Sequence, residues 1–261
     1  MIYRPLGRTG MRVSLLGLGT VKLGRDQGVR YPSAFRIPDD AEAARLLDCA
    51  RDLGINLLDT APAYGTSEER LGRLLRGRRA EWIVCTKVGE RFEGGRSHYD
   101  FTPEHVGQSV RRSLERLRTD RIDVVLIHSD GRDREILDRL GTLDALVELK
   151  RAGLVRAVGI SHKSADGAAR AIEAGCDVIM ATLNPADRSE AAVIARAGAA
   201  GCGVLVKKAL ASGHAGPESL RFVAAQPGVS AIIVGTIDPA HLRENAAILE
   251  TPEAGETGMP S

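Results

Sequence analysis

An acid, a phenol, an ammonium and an imidazole stand at or just beyond the ends of short apolar runs. Asp59 closes Asn56-Leu57-Leu58-Asp59, Tyr64 follows in the next turn, Lys87 closes Cys85-Thr86-Lys87, and His128 closes Leu126-Ile127-His128. Taken singly, each has an ordinary structural reading: a loop cap, a packing ring, an ion-paired lysine, a structural histidine. Together they suit one chemistry. A free tyrosine has a pKa near ~10, too high for easy proton transfer at neutral pH, and a neighbouring ammonium is expected to lower it. Asp59 would pair with Lys87 and keep it charged despite burial. Tyr64 could then protonate a developing alkoxide, with His128 hydrogen-bonding the carbonyl oxygen and orienting it. The set offers an acid but no evident nucleophile and no metal cluster, so hydride must come from a cofactor.

Such a set converges only if the elements carrying it share one rim. Short apolar runs rich in Val, Ile and Leu occur at 15–18, 56–59, 82–87, 122–128, 155–160, 176–181, 204–207 and 231–234. They lack strict alternation, as strands buried on both faces do. Amphipathic stretches lie between them at 39–53, 67–75, 103–117, 134–151, 164–174, 185–199, 217–225 and 239–249. Several begin with helix-start chemistry: Thr102 before Pro103, and Ser67 followed by two glutamates. Eight strand-helix units predict a closed (β/α)8 TIM barrel, with an open doubly wound sheet as the rival. In such barrels the working residues lie where strands end. Residues 2–5 and 12–14 flank a Gly-containing turn and predict an N-terminal β-hairpin; 251–261 reads as a disordered tail. The whole chain, 1–261, reads as a single domain that includes this tail.

Composition narrows the class. A net charge of +2 over 261 residues calls for no nucleic-acid partner. No apolar run approaches the ~20 residues that span a bilayer, and the N-terminus has no signal pattern. Cys49, Cys85, Cys176 and Cys202 form no metal-like spacing, and no metal site is expected. A cytoplasmic monomer is the expectation.

The residues also resemble a known family. Asn56-Leu57-Leu58-Asp59-Thr60-Ala61-Pro62-Ala63-Tyr64-Gly65, then Thr86-Lys87, Ser113-Leu114-Glu115-Arg116-Leu117 and Leu126-Ile127-His128-Ser129, are similar to the signatures of the aldo-keto reductases. Tyr3 through Gly10, Gly17-Leu18-Gly19-Thr20, and Gly235-Thr236 with Glu244-Asn245 extend the likeness over residues 3–249. The resemblance implies that Asp59, Tyr64, Lys87 and His128 are the catalytic tetrad, with Tyr64 the general acid. It implies NADP(H) across the barrel mouth, with NAD(H) open. The implied cofactor contacts are Gly19, Thr20, Asp59, Ser161, His162, Lys207, Lys208, Leu210, Gly213, Gly235, Thr236, His241, Glu244 and Asn245.

The cofactor half departs from the family pattern. His162 stands where Asn usually follows Ser, Met180 where Gln is usual (Asn184 is kept), and Lys207 where an aromatic stacks on the nicotinamide. Gly235 and His241 replace a Lys/Arg pair at the 2′-phosphate position. A lost charge-assisted phosphate contact is worth ~1.5–3 kcal/mol. Residues 89–101 are the candidate substrate lid, 20–38 form a second long loop, and 209–216 a short one. With aromatic content at 3%, a small aldehyde, ketone or sugar carbonyl fits better than a steroid. Two alternatives remain: a nucleotide-binding relative with a regulatory or redox-neutral (epimerase or lyase) role, and an aldolase-like Schiff base on Lys87.

Overall fold

A computed structural model describes residues 1–29, 31 and 34–250. The hairpin strands are β1 (Tyr3–Pro5) and β2 (Arg12–Ser14). The barrel strands are β3 (Leu16–Gly19), β4 (Leu57–Asp59), β5 (Ile83–Val88), β8 (Ile122–His128), β9 (Val155–Ser161), β10 (Val178–Thr182), β11 (Gly203–Lys207) and β12 (Ala231–Val234). A second hairpin, β6 (Glu90–Glu93) and β7 (Arg96–Tyr99), follows β5. The helices are α1 (Asp40–Asp52), α2 (Ser67–Leu74), α3 (Pro103–Leu117), α4 (Asp133–Asp138), α5 (Thr142–Arg151), α6 (Ala165–Glu173), α7 (Ala191–Ala199), α8 (Glu218–Ala224) and α9 (Pro239–Glu250). The eight barrel strands pair in parallel and close, β12 against β3, into the expected TIM barrel.

Two apolar layers explain how it places side chains. Because successive strand residues face opposite ways, Val84 and Val88 of β5, Val125 and Ile127 of β8, and Val204 and Val206 of β11 pack outward against the helices. Leu57, Cys85, Val124, Leu126, Ala157, Val178, Met180, Leu205 and Ala231 fill the barrel interior. The same parity carries Asp59, Lys87, His128, Ser161 and Lys207 inward, each as the last or next-to-last residue of its strand. The interior therefore turns from hydrocarbon to charge at its C-terminal mouth. The opposite mouth is plugged by Leu6, Met11 and Val13 of the N-terminal hairpin, which join the interior cluster. Asn56 fastens that hairpin, accepting from Ser14 N at 2.7 Å and donating to Arg12 O at 2.9 Å.

Helix starts follow their caps. Asp39 and Glu42 form a reciprocal capping box on α1, Thr102 caps α3, and Ser164 caps α6. Two helices depart from the sequence pattern. The stretch 134–151 is α4 and α5, separated at Gly141 (φ +70°). Thr142 there donates to Phe101 O at 2.6 Å instead of continuing a helix from α4. The stretch 185–199 is helical only from Ala191, because Asn184 Oδ1 accepts from Ala186 N and Asp187 N and makes a turn. Among the described residues no helix is long and apolar enough to cross a membrane. The tail at 251–261 lies outside the described residues.

Candidate active site

Lys87 is the hub of the charged mouth. It is 1% exposed, and its Nζ donates to Asp59 Oδ1 at 2.6 Å, Thr60 O at 3.0 Å and Tyr64 Oη at 3.2 Å. An ammonium has three protons and no acceptor, so all three are committed. Burial alone would favour the neutral amine, but Asp59, with smaller help from Tyr64 and Cys85, raises the Lys87 pKa above its ordinary value. Tyr64 sits on a one-turn 3-10 helix (Pro62–Tyr64) directly after β4. The turn is held because Gly65 has φ +60° and a Cβ there would lie 2.1 Å from Gly24 O.

The sequence expectation for Tyr64 is corrected in one respect. Lys87 does favour the phenolate, but burial outweighs it and Asp59 opposes it, so the net pKa of Tyr64 is raised. The phenol stays protonated. Since its oxygen accepts Lys87's proton, its own hydrogen is directed elsewhere.

His128 meets Tyr64 edge-on, with ring centroids 6.3 Å apart at 85°. Its Nδ1 lies 2.6 Å from Glu90 Oε2, a charge contact that is oblique rather than an aligned hydrogen bond. Glu90 belongs to β6, in the predicted lid, and sequence reasoning missed it. Burial works against its ionisation, but His128, Ser97 and Arg25 together hold it at about 2. Burial lowers the His128 pKa, with Lys87 and Lys207 adding to that and Glu90 opposing.

A second polar group lies across the mouth. Lys207 Nζ donates to Ser161 Oγ at 3.0 Å and His162 O at 2.8 Å. Burial, then Lys163, brings its pKa down to about 7 against the pull of Glu190; Lys208 and Lys87 add to the lowering. His162 is 1% exposed, and neither ring nitrogen has an aligned hydrogen-bond partner among the described residues. Burial and Lys207 push it down to about 4. Asn184 donates to Lys208 O and holds its own turn, so its amide is occupied.

One cavity of about 800 Å³ joins the two groups. It is bordered by Asp59, Tyr64, Lys87 and His128 at one end and by Thr236, His241, Glu244 and Asn245 at the other. Every candidate cofactor residue read from the sequence borders it: Gly19, Thr20, Ser161, His162, Lys207, Lys208, Leu210, Gly213 and Gly235 as well as those just named. Lys22 and Tyr31, from the second long loop, also line it, as do Thr182 and Glu190, which no sequence signal marked. Among the described residues no three His, Cys, Asp or Glu side chains are grouped to hold a metal ion.

The profile of the Aldo/keto reductase family matches residues 15–219, which contain the hub and the polar group beyond it. The chain belongs to the aldo/keto reductase family. A crystal structure from Pseudomonas aeruginosa, described as an aldo-keto reductase, superposes with a TM-score of 0.88 at 56% identity, covering 95% of this chain and 94% of that one. The D-threo-aldose 1-dehydrogenase of a Pseudomonas species is 34% identical over 66% of this chain and 57% of its own length. The NADH-specific methylglyoxal reductase of Escherichia coli is 33% identical over 71% of this chain and 60% of its own. The matched part thus spans little more than half the length of such curated relatives.

The family's nicotinamide cofactor can be tested against these residues. His162, its Nδ1 3.6 Å from Glu190 Oε1 and its Nε2 without a hydrogen-bond partner among the described residues, stands next to the Ser161 hydroxyl on the cavity wall, a donor and acceptor set that an amide group can complete. Gly19, which ends the first barrel strand, and Gly235, just beyond the last, border the cavity without side chains of their own. The residues fit such a group.

Proposed function

We propose that this chain reduces a small aldehyde, ketone or sugar carbonyl to the alcohol, with Tyr64 as general acid. The observation that carries this reading is the donation from Lys87 Nζ to Tyr64 Oη. It leaves the phenolic hydrogen free for a ligand in the cavity that Tyr64 borders. The raised pKa of Tyr64 is no obstacle, because an alkoxide is a far stronger base than a phenolate and takes the proton downhill. Asp59 and Thr60 O keep Lys87 charged and in place, and His128 forms the adjoining wall.

A nicotinamide dinucleotide, when bound, supplies the hydride. Ser161 and His162 would hold its amide, Lys207 and Lys208 would face its negative charge, and Thr236, Glu244 and Asn245 would receive its adenosine end. The basic side chain that α9 brings to the cavity is His241, 3.8 Å from Asp238 and followed by Glu244. That is a weak site for a 2′-phosphate. NADH therefore serves at least as well as NADPH, even though the family resemblance points first to NADP(H). The names of relatives that oxidise aldoses or reduce methylglyoxal agree with small polar substrates. A Schiff base on Lys87 is disfavoured, since Asp59 keeps that amine protonated.

Titration of the wild-type chain and Tyr64→Phe with NADH and NADPH, followed by nicotinamide fluorescence, tests the reading alongside turnover. Both proteins should bind the cofactor with similar affinity. Turnover should fall about 10²–10⁴-fold in the variant, the usual contribution of a positioned acid. Cofactor binding with no hydride transfer to any of a broad panel of carbonyls would instead favour the regulatory or redox-neutral role.

A further inference from the structure

Beside His128 stands a carboxylate that the chemistry above does not use. Glu90 is 8% exposed, and its Oε2 is 2.6 Å from His128 Nδ1. Its other oxygen accepts from Ser97 Oγ at 2.6 Å, across the turn of the β6–β7 hairpin. Arg25 braces the same hairpin, stacking 3.3 Å over Phe92 while donating to Ala63 O beside Tyr64. The carboxylate is therefore fixed with respect to both the imidazole and the phenol.

A carboxylate oxygen 2.6 Å from a ring nitrogen favours a proton on that nitrogen even where the contact is oblique, since its charge repels a bare lone pair. A neutral imidazole has only one ring proton to place. With that proton on Nδ1, Nε2 is bare. His128 borders the cavity while its Nδ1 is shut off from solvent against Glu90, so Nε2 is the nitrogen left to face a ligand.

We propose that Glu90 is a positioning residue that holds His128 in the Nδ1–H form, so that the cavity presents a hydrogen-bond acceptor beside the Tyr64 donor and selects carbonyl compounds bearing a hydroxyl on the adjacent carbon. The substrate half of this proposal rests on the carbonyl-reduction reading of the same site; the tautomer half does not. Tyr64 donates to the carbonyl oxygen, and His128 Nε2 accepts from the neighbouring hydroxyl. The two edge-on rings give one donor and one acceptor on adjoining walls, the pattern of a C=O next to a C–OH. A plain ketone leaves Nε2 without a partner once the ligand has displaced water, and sites built around a substrate hydroxyl reject analogues that lack it.

The groups facing the His128 ring are Glu90 from β6, Lys87 from β5, Lys207 from β11 and Tyr64 from the turn after β4. Burial, with smaller help from the two lysines, keeps the ring neutral at pH 7, against Glu90. On acidification the ring gains a second proton, Nε2 becomes a donor, and the preference for a hydroxyl shrinks.

Two readouts on the full chain test this. Long-range proton–nitrogen NMR of histidine-labelled wild-type protein at pH 7 should show His128 protonated at Nδ1 and bare at Nε2. In parallel, the ratio of kcat/KM for hydroxyacetone over acetone should be about tenfold larger for the wild type than for Glu90→Gln, the equivalent of one hydrogen bond. A wild-type His128 protonated at Nε2 alone overturns the proposal, as does an unchanged substrate ratio in the variant. The NMR result is read on unmodified protein and stands whether or not the variant folds. Turnover of neither compound with the Nδ1–H form present would remove the carbonyl reading and the substrate preference while upholding the role of Glu90.

Discussion

Replacing Asp59 by Asn separates the charge that holds Lys87 from everything else that touches it. The amide has nearly the same shape, and Lys87 keeps Thr60 O and Tyr64 Oη as acceptors. What is lost is the counter-charge at 2.6 Å from an ammonium that is 1% exposed. Removing one partner of a buried pair costs about 3–5 kcal/mol, because the other charge stays desolvated and unpaired. The two remaining acceptors place the expected loss toward the lower end, about 3 kcal/mol. Chemical denaturation at pH 7 measures it.

The pH dependence gives a second check on the same variant. In the wild type the Lys87 pKa is raised on folding. Its contribution is therefore fully present below the unfolded value near ~10.5 and is lost as pH rises through the folded one. Without Asp59, burial dominates and the folded pKa falls below the unfolded one. The variant's penalty is then full at neutral pH and shrinks toward pH 10, where the amine folds neutral. Asp59→Asn combined with Lys87→Met should recover most of the loss at pH 7, since no orphan charge remains. A single variant within about 0.5 kcal/mol of wild type, or a double variant no more stable than the single, would refute the claim that Asp59 neutralises Lys87 inside the barrel.

Further outcomes follow from the same geometry. Lys207→Met should raise the melting temperature more at pH 6 than at pH 10. The folded pKa of about 7 lies below the unfolded one, so the cost of burying this ammonium is complete in acid and relieved as pH rises through 7. An equal gain at both pH values would show that Lys207 is not desolvated. Gly65→Ala places a methyl 2.1 Å from Gly24 O at φ +60°. It should destabilise by about 1–3 kcal/mol in thermal melts and lower turnover by displacing Tyr64; wild-type values on both counts would contradict the close approach.

Much of this site could be read from the residues because strand parity and strand ends are sequence properties. Asp59, Lys87 and His128 each terminate an apolar run, and the two-residue period that buries Leu57, Cys85 and Leu126 in the interior carries them to the mouth. Other features depend on distant packing. Glu90 looks like an ordinary charged loop residue until the β6–β7 hairpin turns it onto His128. The only local hint is Gly94-Gly95, whose positive φ angles suit a two-residue hairpin turn. The direction of the Tyr64 pKa was not legible because the sequence indicates which charges are near but not how much water is excluded. The break at Gly141 and the late start of α7 were hidden because Thr142 and Asn184 spend their polar groups on tertiary and turn contacts.

In the proposed reaction a phenol held by Lys87 quenches an oxyanion formed by hydride addition. Rapid mixing of protein preloaded with reduced dinucleotide against a small carbonyl, with loss of nicotinamide fluorescence followed over a single turnover, tests it most directly. The wild-type chain should show a fast decay, and Tyr64→Phe a decay slowed at least about 100-fold at equal cofactor occupancy. Equal rates in the two proteins would contradict it.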